Sequence, residues 1–171
     1  MRPNSLRRNY KMNKNICFVS NFYLTEFYEK IAVELDRKGC DIFLICPSKK
    51  DFQRLKSKWG AERVLYIGLT NVIDTDVKKD KFPPDLLAIK SNDILIRDRI
   101  LKYTPVQGSA YLTKLKFLIY TFFQSNNISH VFSEFTWSHE VIINRICRFV
   151  ESCHTCSYNP HTLRVPQGTF G

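Results

Sequence analysis

Asn15-Ile16-Cys17-Phe18-Val19-Ser20 and Asp41-Ile42-Phe43-Leu44-Ile45-Cys46 decide the fold. Each run is apolar on consecutive residues rather than on alternate ones. A strand with one wet face alternates, whereas a strand covered on both faces does not need to. Between them, Leu24, Phe27, Tyr28, Ile31 and Leu35 recur at helical spacing. Thr25 is the expected N-cap, and Gly39 stands where a left-handed residue ends a helix. Pro47 stops the second strand. Ser48 and Asp51 then have capping-box spacing, and Phe52, Leu55 and Trp59 mark a second helix ending at Gly60. Residues 63–67 read as a third strand. Buried strands that alternate with amphipathic helices predict a parallel sheet with helices on both faces.

Further along, residues 68–84 read as a polar loop ending in Phe82-Pro83-Pro84. Helical spacing returns over 93–103 and, more strongly, over 109–125. There Tyr111, Leu112, Leu115, Leu118, Ile119 and Phe122 form a stripe, with Lys114 and Lys116 off it. Asn126 and Asn127 end it. Residues 128–132 are a fourth strand ending at Ser133-Glu134, and a helix over 137–149 follows. Residues 151–158 are a fifth, more polar strand. The expected fold class is α/β: an open, mostly parallel five-stranded sheet with helices on both faces in one domain. Pro160, Pro166 and Gly168 leave residues 159–171 extended and turn-rich.

Of the chain's 171 residues, 44% are hydrophobic, 13% aromatic and 25% charged, a globular rather than disordered composition. The net charge is +10, which favours anionic partners. Arg2, Arg7, Arg8, Lys11 and Lys14 supply half of it, so residues 1–14 are expected to be a basic flexible tail. Such a tail suits an anionic membrane surface, each cation contributing about 1 kcal/mol there. No signal-peptide core follows it. The longest apolar stretch, around 115–123, is far short of the roughly 20 residues of a spanning helix. The expected location is cytoplasmic, peripheral at the inner membrane through that tail. Six cysteines in such a compartment do not form a disulfide framework, and Cys17 and Cys46 read as small core hydrophobes.

Open parallel sheets bind ligands beyond the carboxyl ends of their strands. The first such turn, residues 20–24, lacks the glycines that let backbone approach a pyrophosphate, and no P-loop or Gly-x-Ser-x-Gly is present. Ser20, Asn21 and Tyr23 remain as hydrogen-bonding groups. The richest stretch is Ser133-Glu134-Phe135-Thr136-Trp137-Ser138-His139-Glu140. It combines a carboxylate for general base work or hydroxyl binding, an indole for stacking, and an imidazole. Its plain structural reading has Thr136 or Ser138 as a cap, Glu140 offsetting the helix dipole and Trp137 in the core. Cys153-His154-Thr155-Cys156 with His161 is a weak zinc pattern. Residues three apart on a strand point to opposite faces, so no metal is expected. The aromatics follow core periodicity, which disfavours nucleic acid.

Asn159-Pro160-His161-Thr162-Leu163-Arg164-Val165-Pro166-Gln167-Gly168-Thr169-Phe170 resembles a motif of bacterial surface (capsular) polysaccharide biosynthesis proteins. The opening strand, helix and second strand are similar to the Rossmann-like amino-terminal domain of GT-B glycosyltransferases. The resemblance covers residues 15–170. It implies a domain over 15–158 and a segment over 159–171 leading to a second domain, whether the chain is a truncated reading frame, a fragment, or a stand-alone subunit that a partner chain completes. The expected function is then an acceptor-side glycosyltransferase half, incomplete for catalysis alone. Glu134 is the expected catalytic residue, with Asn21, Tyr23, Trp137, His139 and Arg164 binding a glycan or lipid-linked acceptor. No cofactor is expected, a sugar nucleotide entering only as co-substrate with the second domain. The alternatives are a non-catalytic module for an anionic or phosphorylated ligand, and a basic nucleic-acid binder.

Overall fold

A computed structural model describes residues 14–21, 24–75, 77, 83–89, 94, 105–134, 136–150 and 153–157. Its elements are β1 (Asn15–Val19), α1 (Thr25–Arg37), β2 (Asp41–Cys46), α2 (Lys49–Trp59), β3 (Val64–Tyr66), α3 (Leu69–Asp74), α4 (Pro84–Ala88), α5 (Pro105–Ser125), β4 (His130–Ser133), α6 (Ser138–Phe149) and β5 (His154–Ser157). The strands form one five-stranded sheet in the order β3-β2-β1-β4-β5. Every pairing is parallel, with Asn15 opposite Asp41, Ile16 opposite His130, Leu44 opposite Val64 and His130 opposite His154. The expected Rossmann-like α/β arrangement is present, and it is wholly parallel.

Alternate residues of the central strands feed two separate cores. Ile16, Phe18, Ile42, Leu44 and Cys46 pack with Leu24, Tyr28 and Ala32 at α1 and Leu55 of α2. Cys17, Val19, Phe43 and Ile45 pack with Val72 of α3, Leu86 of α4, Leu112, Leu115 and Ile119 of α5, and Ile142, Ile143 and Ile146 of α6. The chain runs outward from β1 to β3, then returns to β4 and runs the other way. Crossovers of one hand therefore place their helices on opposite faces. Gly39 (φ 84°) and Gly60 (φ 96°) lie in the left-handed region that the helix-end reading requires. The Ser48 hydroxyl accepts the Asp51 N–H at 3.3 Å, as its spacing predicts.

Four expectations need correction. Thr25 is the first residue of α1 rather than its cap; Leu24 holds the cap position and contributes no side-chain bond. The loop expected over 68–84 contains α3, a six-residue helix. Asn71 Nδ2 donates to the Tyr66 carbonyl at 2.8 Å, and the fully buried Val72 docks α3 on the core. A helix this short carries no periodicity to read. Likewise α4 begins within the Pro pair, with Pro83 at the N-cap and Pro84 as its first residue. Finally α5 starts at Pro105, not Ser109, and Lys116 is buried although it lies off the apolar stripe. Its ammonium donates to the Ile89 carbonyl at 3.1 Å, because the segment after α4 covers that side of α5. Burial, and then Arg145, pull the Lys116 pKa below its ordinary value. The helix expected over 93–103 lies outside the described residues except Ile94, which is buried. The two terminal segments, 1–13 and 158–171, lie outside them too.

Phe18 is fully buried, stacked on Phe132 at 5.1 Å between ring centroids and tilted against Tyr28 at 5.5 Å. Phe18→Ala is expected to cost about 3–5 kcal/mol in urea unfolding. Phe27→Ala, at a position 44% exposed, should cost much less, within about 1 kcal/mol.

Candidate functional site

Strand order reverses between β1 and β4, so their carboxyl ends diverge into separate loops. Nearly all the buried polar side chains of the described residues collect there: Ser20, Asn21 and Thr25 after β1, and Ser133, Glu134, Ser138 and Glu140 after β4. Among the described residues, only Glu29 and Lys116 are buried polar side chains elsewhere. Burying a polar group costs free energy unless it is hydrogen-bonded. Such a concentration at one sheet edge therefore needs either an internal network or a ligand.

Much of it is an internal network. The Ser20 N–H extends the sheet by donating to Ile45 O at 2.8 Å, which fixes the exit of β1. The Ser20 hydroxyl then meets the Thr25 hydroxyl at 2.5 Å, tying that exit to the first turn of α1. Asn21 Nδ2 donates to Glu140 Oε1 at 3.0 Å, across 119 residues of sequence. Glu140 Oε2 accepts the Thr136 and Trp137 N–H groups at 2.9 and 3.0 Å. Glu140 is thus the third-position carboxylate of a capping box, with Trp137 at the N-cap providing no side-chain cap of its own. One fully buried carboxylate holds the start of α6 and the end of β1 together.

Burial pushes the Glu140 carboxyl up to about 7. The N–H groups of Trp137 and Thr136 and the Asn21 amide act against that rise, while the nearby Glu134 charge adds to it. The group is therefore poised to change protonation near neutrality. Two acceptors of the cluster, Asn21 Oδ1 and Ser133 Oγ, are buried with no hydrogen-bond partner among the described residues. Donation from Nδ2 to a carboxylate fixes the Asn21 amide orientation, so Oδ1 faces away from Glu140.

Of the residues expected at the site, Asn21 and Glu134 lie at the ends of neighbouring parallel strands, both buried. Trp137 and His139 are half-buried at the start of α6. Tyr23 and Arg164 lie outside the described residues. The residue the sequence undervalued is Glu140, read there only as a dipole partner. Its position three after Trp137 carried the capping signal, but the bond to Asn21 depends on strand order. At the opposite end of β5, Cys153 pairs with the Cys147 thiol at 3.0 Å. No group of three metal-ligating side chains is arranged to hold an ion among the described residues.

A second concavity lies between α1 and α2, an open groove of about 480 Å³ lined by Glu26, Glu29, Lys30, Val33, Glu34, Arg54 and Lys58. Glu29 bonds to Arg54 and, at 2.6 Å, to Lys58. Burial pushes its carboxyl up, but the hydrogen bonds from Lys58 and Arg54 outweigh this and hold it below its ordinary value. The groove's central charges are spent on one another.

Glu140 gives a testable pH dependence. Its folded pKa lies above the ordinary 4.5. Its contribution to stability is therefore full below pH 4.5 and lost as pH rises through about 7, by on the order of 3 kcal/mol. Subtracting the urea stability of Glu140→Gln from that of the parent at each pH should reveal this slope. A flat difference between pH 4.5 and 7 would show that the donors keep Glu140 ionised. Comparison with family models, with curated proteins and with solved structures finds no match to the chain.

Proposed function

We propose that this chain is the acceptor-side, Rossmann-like half of a glycosyltransferase of bacterial surface polysaccharide assembly. In this reading the cleft at the β1/β4 switch point takes a glycan or lipid-linked acceptor. The observation that carries it is the buried polar cluster at that edge, with Asn21 Oδ1 and Ser133 Oγ left as unmatched acceptors. Sugar hydroxyls donate hydrogen bonds and would satisfy both. Glu134 directly follows β4 and would accept the acceptor hydroxyl's proton as it attacks the activated sugar. Trp137, half-buried at the N-cap of α6, offers an apolar face for a sugar ring.

The same geometry disfavours an anionic ligand at this edge. The first N–H groups of a helix normally attract phosphate. Here two backbone N–H groups at the start of α6 are already bonded to Glu140, and Glu134 adds a second carboxylate beside it. A phosphate would meet two carboxylates beside those two occupied N–H groups. The donor sugar nucleotide therefore belongs, in this proposal, to a partner domain. The basic residues of 1–14 would hold the protein at the anionic inner face of the membrane.

The test is Glu134→Gln assayed with the second domain supplied. Transfer should fall by about 10²–10⁴-fold while the Tm stays within a degree or two of the parent. Retained transfer, or a Tm loss large enough to explain the lost activity, would make Glu134 a framework residue. Separately, removal of residues 1–13, which spares the Lys14 carbonyl that accepts the Asp41 N–H at 3.0 Å, should abolish sedimentation with vesicles rich in anionic lipid and leave unfolding unchanged. Undiminished sedimentation would remove the membrane reading.

A further inference from the structure

Cys147 lies in the last turn of α6, and Cys153 immediately precedes β5. Their sulfurs are 3.0 Å apart, and both residues are nearly buried, at 4% and 8% exposure. Backbone bonds hold the residues on either side of the connection between them. The Val150 N–H donates to Ile146 O at 3.1 Å and the Cys153 N–H to Val150 O at 2.8 Å. The two thiols are therefore preset by the fold rather than brought together by chance side-chain motion. Cys17, from β1, belongs to the same core.

We propose that Cys147 and Cys153 are a reversible dithiol switch that a hydroperoxide closes into a disulfide, fastening the end of α6 to the start of β5. The Cys153 thiolate attacks the terminal OH oxygen of the peroxide, the O–O bond breaks, and hydroxide (alkoxide from an organic hydroperoxide) leaves and takes up the proton the thiol gave up, leaving a sulfenic acid on Cys153. The Cys147 sulfur then attacks the Cys153 sulfur, the S–O bond breaks, and water leaves with the proton Cys147 gives up. Two thiols are oxidised to one disulfide, and one hydroperoxide is reduced to water and, for an organic peroxide, an alcohol. A reducing thiol reverses the step by exchange.

The order of events follows from the surroundings of each sulfur. The hydrogen bond with Cys147 holds the Cys153 thiol below its ordinary pKa, while Cys147 is pushed up by that same bond and by burial. Cys153 is also the more exposed of the pair. Hydrogen peroxide is close to water in size, so a narrow opening suffices. Two other buried thiols, Cys17 and Cys46, are protected. Burial pushes Cys46 up to about 12 and Cys17 well above its ordinary value, and thiols in that condition react slowly.

The experiment treats the full reduced chain with hydrogen peroxide under native conditions, then alkylates and maps the cysteines. The expected result is a mass loss of two hydrogen atoms, a Cys147–Cys153 linkage, and full reversal by dithiothreitol. Cys17 and Cys46 should be modified at least about tenfold more slowly. Cys147→Ser should stop at a Cys153 sulfenic acid that dimedone traps, and Cys153→Ser should abolish rapid oxidation. A Cys153–Cys156 linkage overturns the proposal, as does oxidation of all cysteines at one rate. A Cys153 that goes straight to sulfinic acid in the parent overturns it too. If both variants fail to fold, the parent's linkage map and the protection of Cys17 decide the matter.

Discussion

Each of Ile16, Cys17, Phe18 and Val19 ends in an apolar layer, and the strand they form is bonded to a neighbour on either side. β1 therefore has no solvent face and no open edge. Its backbone groups are satisfied only when β2 and β4 flank it, and its side chains only when helices cover both faces. β4 follows β1 by more than 100 residues, so the central strand is completed by the segment that arrives late in the chain. The helices are consequences of this demand: α1 and α2 cover Phe18 and Leu44, while α5 and α6 cover Val19 and Ile45.

The polar edge is the other side of the same demand. Where β1 and β4 end, the chain must leave two apolar layers and turn into helices whose first N–H groups have no partners. Glu140 answers this for α6, and through Asn21 it anchors the turn after β1. A single side chain thereby fixes the relative placement of two loops that no sheet bond controls. That placement is what any ligand at the switch point would meet. Burial pushes this carboxyl up to about 7, so rigidity at this edge is linked to protonation.

Much of the fold was legible because apolar continuity and helical spacing are local properties. Asp41–Cys46 could be delimited to the residue, since Asp and Pro bound it. The rest depends on contacts that spacing does not encode. Lys116 is off the apolar stripe of α5, yet another segment lies across it and supplies a carbonyl. α3 is too short to show a period and exists through one buried valine and a side-chain bond to Tyr66. At the site, Asn21 and Glu134 could be placed together because they end the two strands with the most apolar flanking runs, which belong side by side at the centre of the sheet. Glu140 could not, because its partner is 119 residues away. The Cys147–Cys153 pair was hidden behind the more familiar spacing of Cys153, just before β5, and Cys156 within it.

The sheet also divides the interior into two apolar compartments with no shared side chains. Tyr28 and Leu55 lie in one, Leu115 and Ile143 in the other. A cavity made on one side relaxes into neighbours of that side, because the backbone of β1 and β2, bonded along its length, stands between. Sequence change in the two compartments is then energetically independent to a first approximation, as for distant sites without common partners. Drift in the α1–α2 layer needs no compensation in the α5–α6 layer. The exceptions are substitutions of β1 and β2 themselves, where neighbours in sequence belong to opposite compartments.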